Sequence, residues 1–238
     1  MAENDISKYD KALAVTNETL DGMDWYSVDS QNVELNGLCF RKPGECLRRI
    51  PLDTTISPGV DHLSWSLAGV MLRFKTDSRE IRVHAKVGHT NRVGHMAHIG
   101  IMGFDLYVGS GSSKFYAGSF RFDFNQDEYN VKVDCPFPEQ KIREYTINFP
   151  LYSGLEYFRF GVTAGSTVEL PTPWKDPRPV VVYGTSIQQC IGVNSFFQPF
   201  CSVQAFCSFP CTVNTRSFIR RYKNSKIFLF GIIHFFTT

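Results

Sequence analysis

Apolar and polar residues alternate with period two along most of the chain from residue 30 to residue 165. In "GVMLRFKT", Val70, Leu72 and Phe74 alternate with Met71, Arg73 and Lys75. "TDSRE" reads as a turn, after which Ile81, Val83 and Ala85 alternate with Arg82, His84 and Lys86. The pair predicts a hairpin with one face buried and one solvated. In "IGIMGFDLYVG", Met102, Phe104, Leu106 and Val108 share one face of a predicted strand. "SGSS" supplies a turn and "KFYAGSF" returns. "EYTINFPLY" sets Tyr145, Ile147 and Phe149 against Glu144, Thr146 and Asn148. "GLEYFRFGV" alternates again, with Gly154 in the turn before it. Short strands at regular spacing between Gly-, Ser- and Pro-rich turns predict a mainly β fold, a jelly-roll-like β-sandwich of two sheets. "SKYDKALAVTNETL" predicts a short helix ahead of it.

The pattern changes at "VELPTPWKDPRP", which holds four prolines in twelve residues. Proline removes ladder donors and stops helices, so this stretch reads as a linker. "VVVYGTSI" follows: a buried apolar strand, Gly184 to relieve a tight turn, and Ser186 exposed at the strand's carboxyl end. Open α/β sheets place their sites there. Capping of a following helix is the alternative role for this serine.

Composition narrows the classes. Of the 238 residues 43% are hydrophobic and 20% charged, enough for a packed core. The net charge of +2 gives no reason to expect nucleic acid as a partner. The first twenty residues are polar and show no secretory signal, which reads as cytoplasmic by default, or as secreted or periplasmic if a leader was removed. Asn17-Glu18-Thr19 matches a glycosylation acceptor that matters only after secretion. "IFLFGIIHFF" is ten residues long, whereas a membrane span needs about 20, so no span is expected. It reads as an aggregation-prone segment. The spacing Cys201-x5-Cys207-x3-Cys211 is not that of a zinc site, and no metal or other cofactor is expected.

Residues 188–238 contain no Asp and no Glu, while the preceding 187 residues hold all 23; the same 51 residues hold ten of the 21 Phe. A folded α/β segment carries acids at helix starts and on solvated faces. The break leads us to expect that the chain leaves its ancestral reading near residue 188, by frameshift, retained intron or gene-boundary error. A genuine but unusual tail is the alternative.

"GFDLYV" and "VVVYGTSI", about 75 residues apart, together resemble the SGNH/GDSL-type esterases that carry an N-terminal β-sandwich marked by a Gly-x-Asp-Leu-Tyr motif. Gly103, Asp105, Leu106 and Tyr107 match that motif letter by letter. The resemblance covers roughly residues 24–187. It implies an accessory sandwich followed by a three-layer α/β catalytic domain whose first strand delivers the nucleophile, here Ser186. It also implies that a glycine and an asparagine complete the oxyanion hole and that an Asp-x-x-His pair supplies the base and its orienting acid. The family's Thr-Gln-Gly after the serine is replaced here by Gln188-Gln189-Cys190.

The expected organisation is therefore an N-terminal tail at 1–23, a β-sandwich at 24–168, a Pro-rich linker at 169–179, and at 180–238 an incomplete start of an SGNH hydrolase domain, aberrant from about 188. Serine attack needs a general base and an orienting carboxylate. Residues 188–238 offer one histidine, His234, inside "IIHFF", and no carboxylate; Asn194 is a chance oxyanion donor at best. Losing triad members costs up to about a million-fold in turnover, so we expect this chain to be inactive. Complete relatives are expected to hydrolyse acyl esters, carbohydrate esters among them. The alternative is a carbohydrate-binding or interaction module, with a glycan or an acylated small molecule as ligand and Trp25, Trp65 and Trp174 as candidate sugar platforms; packing is the plainer role for each indole. Asp105 reads as a hydrogen-bond hub or as a ligand or interdomain contact. His84, His89, His95 and His98 read as loop and surface histidines, because His95 and His98 on a strand would face opposite sides.

Overall fold

The structure, a computed structural model, describes residues 22–54, 57–90, 94, 96–123 and 125–175. Strands β1 (Met23–Tyr26) and β2 (Glu34–Asn36) precede helix α1 (Pro58–Leu63). Then come β3 (Met71–Thr76), β4 (Glu80–Gly88), helix α2 (His98–Met102), β5 (Asp105–Val108) and β6 (Phe115–Ser119). The last strands are β7 (Glu128–Asp134), β8 (Arg143–Asn148), β9 (Gly154–Thr163) and β10 (Val168–Glu169). They form two antiparallel sheets, one ordered β1-β9-β4-β7 and one ordered β10-β3-β8-β5-β6, with β2 also on β3. The fold is thus mainly β, as the alternation predicts. Ser186 and Gly184, the strand that would carry them, and the N-terminal helix expected within residues 1–21 lie outside the described residues.

The core lies between the sheets. Leu72 and Phe74 of β3, Leu106 and Val108 of β5, and Tyr145 and Ile147 of β8 meet Ile81, Val83 and Ala85 of β4 and Phe158, Phe160 and Val162 of β9. Phe74 stacks on Phe160 across the layers at 4.3 Å between ring centroids. Burying such side chains supplies about 1.5–3 kcal/mol each. A register shift of β4 between Lys86 and Val87 breaks the alternation opposite β9. Leu155 and Phe158 therefore both reach the core although they are three residues apart.

Three expectations from the pattern are corrected. The segments at 70–76 and 80–88 make no hairpin: β3 pairs with β2, β8 and β10, whereas β4 pairs with β7 and β9. Residues 77–79 instead carry the chain from one sheet to the other, so the apolar faces of the two strands oppose each other across the core. Met102 sits in α2 rather than on a strand with Phe104, yet it is fully buried. Gly154 opens β9 rather than preceding it, because it pairs with Gly88 of β4; a Cβ there would come within 3.2 Å of the Trp65 carbonyl and 3.3 Å of the Gly88 carbonyl.

Candidate functional site

Two-layer sandwiches leave one face of each sheet to solvent, and polar residues gather there. The outer face of the six-stranded sheet is polar, yet most of it around β3 and β8 is buried; Tyr116 at the β6 edge is exposed. Cross-strand register sets Glu34, Arg73, Thr146, Tyr107 and Tyr116 in one transverse row. The neighbouring row is Asn36, Met71, Asn148, Asp105 and Ser119. Met71, Arg73, Asn36, Thr146, Asp105 and Glu144 of this face are all buried. Among the described residues, Asn36 Oδ1, Thr146 Oγ1 and Asn148 Nδ2 are buried there without a hydrogen-bond partner.

Arg73 is the hub of this face. Its side chain is 4% exposed. Nη2 donates to Glu144 Oε1 at 2.7 Å and to the Thr172 carbonyl at 2.7 Å, and Nη1 donates to Glu34 Oε2 at 3.3 Å. Its guanidinium lies 3.7 Å from the centroid of the Trp174 ring. The indole Nε1 of Trp174 donates to Glu34 Oε1 at 2.9 Å, and the Thr172 amide donates to Glu144 Oε2 at 3.0 Å. The Pro-rich segment after β10 is therefore strapped across the sheet by side chains 28 to 140 residues distant in sequence. Burial raises the Glu144 carboxyl, but the hydrogen bonds from Arg73 and Thr172 and the Arg73 charge outweigh it and hold Glu144 below the usual carboxylate range. Lys114 lies near the same pair. Burial first, and the Arg73 charge second, bring its ammonium down to about 8, against a smaller opposing pull from Glu144.

The Gly-x-Asp-Leu-Tyr residues sit beside this hub. Gly103 ends α2: its amide donates to the Ile99 carbonyl at 2.9 Å, and a Cβ on Gly103 would lie 2.4 Å from that oxygen. The glycine answers a close backbone approach, since its φ of −85° is open to any residue. Tyr129 Oη donates to the Met102 carbonyl at 2.6 Å and Ser153 Oγ to the Ile101 carbonyl at 3.0 Å, satisfying carbonyls that a helix end leaves unpaired. Leu106 points into the core, while Asp105 and Tyr107 face outward. Ser119 Oγ donates to Asp105 Oδ1 at 2.6 Å, so the Tyr116 hydroxyl, 2.6 Å from Ser119 Oγ, donates in turn. Burial, then the Asp105 and Tyr116 neighbours, push the Tyr107 phenol above its ordinary range. The motif is thus a corner in which glycine seats the helix, leucine fills the core, and the carboxylate pins edge strand β6 at the bulge between Leu106 and Tyr107.

The indoles engage in contacts within the chain. Arg159 lies 4.5 Å from the Trp25 ring, His89 stacks on Trp65 at 3.9 Å, and Arg73 covers Trp174. His84 and His89 join these aromatic contacts and His98 opens α2. His95, His234, Asn194 and the cysteines after residue 187 lie outside the described residues. Among those described, no three His, Cys, Asp or Glu side chains are grouped to hold a metal. No described helix is long and apolar enough to cross a membrane. Sequence reasoning missed the Arg73 hub. Alternation placed Arg73 and Glu144 on outward faces, but nothing local pairs residues 71 positions apart.

A family model for the N-terminal GxDLY domain of SGNH-hydrolase-type esterases matches residues 23–168. Among solved structures, a GDSL-like lipase from Bacteroides ovatus aligns over 70% of this chain and 48% of its own, at 24% identity and a TM-score of 0.59. This chain therefore spans about half the length of that structure. The salicylyl-acyltransferase SsfX3 from a tetracycline biosynthetic pathway aligns over 65% of this chain and 43% of its own, at 17% identity and a TM-score of 0.49. The first likeness bears on the fold, and the second is too loose to do so. No curated protein matches the chain. The motif corner, the two-sheet fold and the family match over residues 23–168 agree: the chain belongs to the family of GxDLY domains that form the N-terminus of SGNH-hydrolase-type esterases.

Proposed function

We propose that this chain carries the accessory sandwich of an SGNH/GDSL-type acyl-ester hydrolase, and that the sandwich seats and hands over the hydrolase unit rather than performing chemistry. The strapping of residues 172–174 onto the outer sheet face by Arg73, Glu144 and Glu34 carries this reading. A sandwich that merely tethered its neighbour would release the chain at β10. Here the chain leaves from a fixed point on a buried, polar face, twelve residues before Ser186. The unpartnered Thr146 and Asn148 groups suit a face covered by further polypeptide. Ser186 is the nucleophile of this reading by its place in "YGTSI". Acyl esters, carbohydrate esters among them, are the substrate class of the complete unit.

The same reading holds that these 238 residues do not turn over esters, because residues 188–238 offer Ser186 no carboxylate to orient a base. The test is p-nitrophenyl acetate hydrolysis by the purified chain beside Ser186→Ala. Equal background rates are expected. Turnover that disappears with Ser186→Ala would refute the inactivity while supporting the serine's role.

A further inference from the structure

The outer face of the four-stranded sheet carries a group that the hydrolase reading does not use. There β4 places His84 opposite Arg159 of β9, and Trp25 of edge strand β1 lies opposite Gly161. Arg159 Nε donates to His84 Nδ1 at 3.2 Å, so Nδ1 presents its lone pair. The neutral imidazole then carries its hydrogen on Nε2, which donates to Glu128 Oε1 of β7 at 2.9 Å. The Arg159 guanidinium, which donates to His84, lies over Trp25, 4.5 Å from the ring centroid. The His84 ring meets Trp25 and Tyr157 edge-on, at 6.1 Å and 5.1 Å. The indole rests on Gly161, where even a Cβ would come within 3.1 Å of it.

We propose that Glu128, His84 and Arg159 form a proton-operated clasp that holds Trp25, and with it edge strand β1, against the sheet. One proton changes the arrangement asymmetrically. An imidazolium bears hydrogens on both nitrogens. Its Nε2 still donates to Glu128, now as an ion pair, but its Nδ1–H meets the Arg159 Nε–H, donor against donor and cation against cation. Arg159 must turn away, and Trp25 loses the cation lying over its face. One other charge among the described residues of this face reaches the clasp: Lys86, across from Glu128 in the β4–β7 register, acts on the Glu128 carboxylate through space. On β4, Arg82 pairs with Glu80 at 2.5 Å and Lys86 with Glu156 of β9 at 2.6 Å. Lys132 of β7 bonds Glu80 and Asp134. Asn130 of β7, across from His84, is uncharged; Tyr157 of β9 is a phenol, and β1 contributes the Trp25 indole.

Nitrogen-15 NMR of the imidazoles in the full chain tests the starting state. At about pH 8, His84 should show a bare Nδ1 and a protonated Nε2. Between about pH 8 and about pH 5, the range in which imidazoles change charge, the Trp25 indole resonance, assigned with Trp25→Phe, should shift. Amide protection factors of residues 23–26 should fall on the order of tenfold relative to β8. His84→Gln can accept from Arg159 and donate to Glu128 without titrating, and should abolish both responses. A proton on Nδ1 at about pH 8, an unchanged Trp25 resonance and β1 protection, or the same response in His84→Gln would each overturn the clasp.

Discussion

Gly103 shows how little room one backbone atom leaves. A methyl group there would approach the Ile99 carbonyl to 2.4 Å, and neither backbone segment can yield without unseating α2 from Tyr129 and Ser153. Gly103→Ala should therefore cost about 1–3 kcal/mol in urea unfolding, the range of an overpacked core. Leu106, fully buried from the same motif, should cost about 2–5 kcal/mol on truncation to alanine. Lys114 makes a prediction of opposite character. Its folded-state value of about 8 lies below the ordinary 10.5. The unfolded chain therefore holds this proton over a pH range in which the folded chain has released it. Linkage then requires that stability rise with pH from about 8 towards 10.5 through this group, whose burial beside Arg73 is unfavourable while charged. Lys114→Met should flatten that rise in unfolding curves taken across the range.

At the scale of elements, β3, β8 and the strapped segment 172–174 form one unit through Arg73. Arg73→Ala would leave Glu144, itself buried, without its charge partner; removing one member of a buried pair costs about 3–5 kcal/mol. The distinguishing result concerns the strap. Arg73→Met keeps bulk near the Trp174 ring but frees the Thr172 carbonyl, and should raise protease cleavage after Glu169 more than cleavage within the sheets. Uniform loosening would instead mark Arg73 as ordinary core. Acid should act on the same joint. Glu144 titrates below its unfolded value, so its contribution is fully present above the ordinary carboxylate range and is lost as pH falls through the lowered folded value. Arg73→Met should reduce that acid-sensitive part of the stability, leaving the share carried by the Thr172 amide. Strand pairing itself shows where local pattern stops. β5 and β6 pair as the turn "SGSS" predicts, because a short loop fixes both partners. β3 and β4 look just as much like a hairpin but belong to opposite sheets. Alternation says which side of a strand is buried and nothing about which sheet it joins.

The whole molecule is a sandwich whose two outer faces differ. The face with His84 and Arg159 alternates as a solvated surface should. The face with Arg73 and Asp105 is polar in sequence, yet Arg73, Asp105, Glu144 and Thr146 on it are buried. That contrast was illegible in the residues, since "MLRFKT" and "EIRVHA" look alike as half-buried strands. The sequence by itself determined the strands β3, β4, β5, β6, β8 and β9, the inward residues led by Phe74 and Tyr145, and the motif Gly103, Asp105, Leu106, Tyr107. Each of these is a property of neighbours two or three residues apart. It also supplied Ser186 and the loss of acidic residues after Ile187, both outside the described residues. Only the tertiary structure decided that Arg73, Glu34, Glu144 and Trp174 meet, that Asp105 pins Ser119, and that His84 sits between Arg159 and Glu128. Those meetings join residues 14 to 140 positions apart. They follow from strand order and register, which the packing of the whole core selects and no local run of residues encodes.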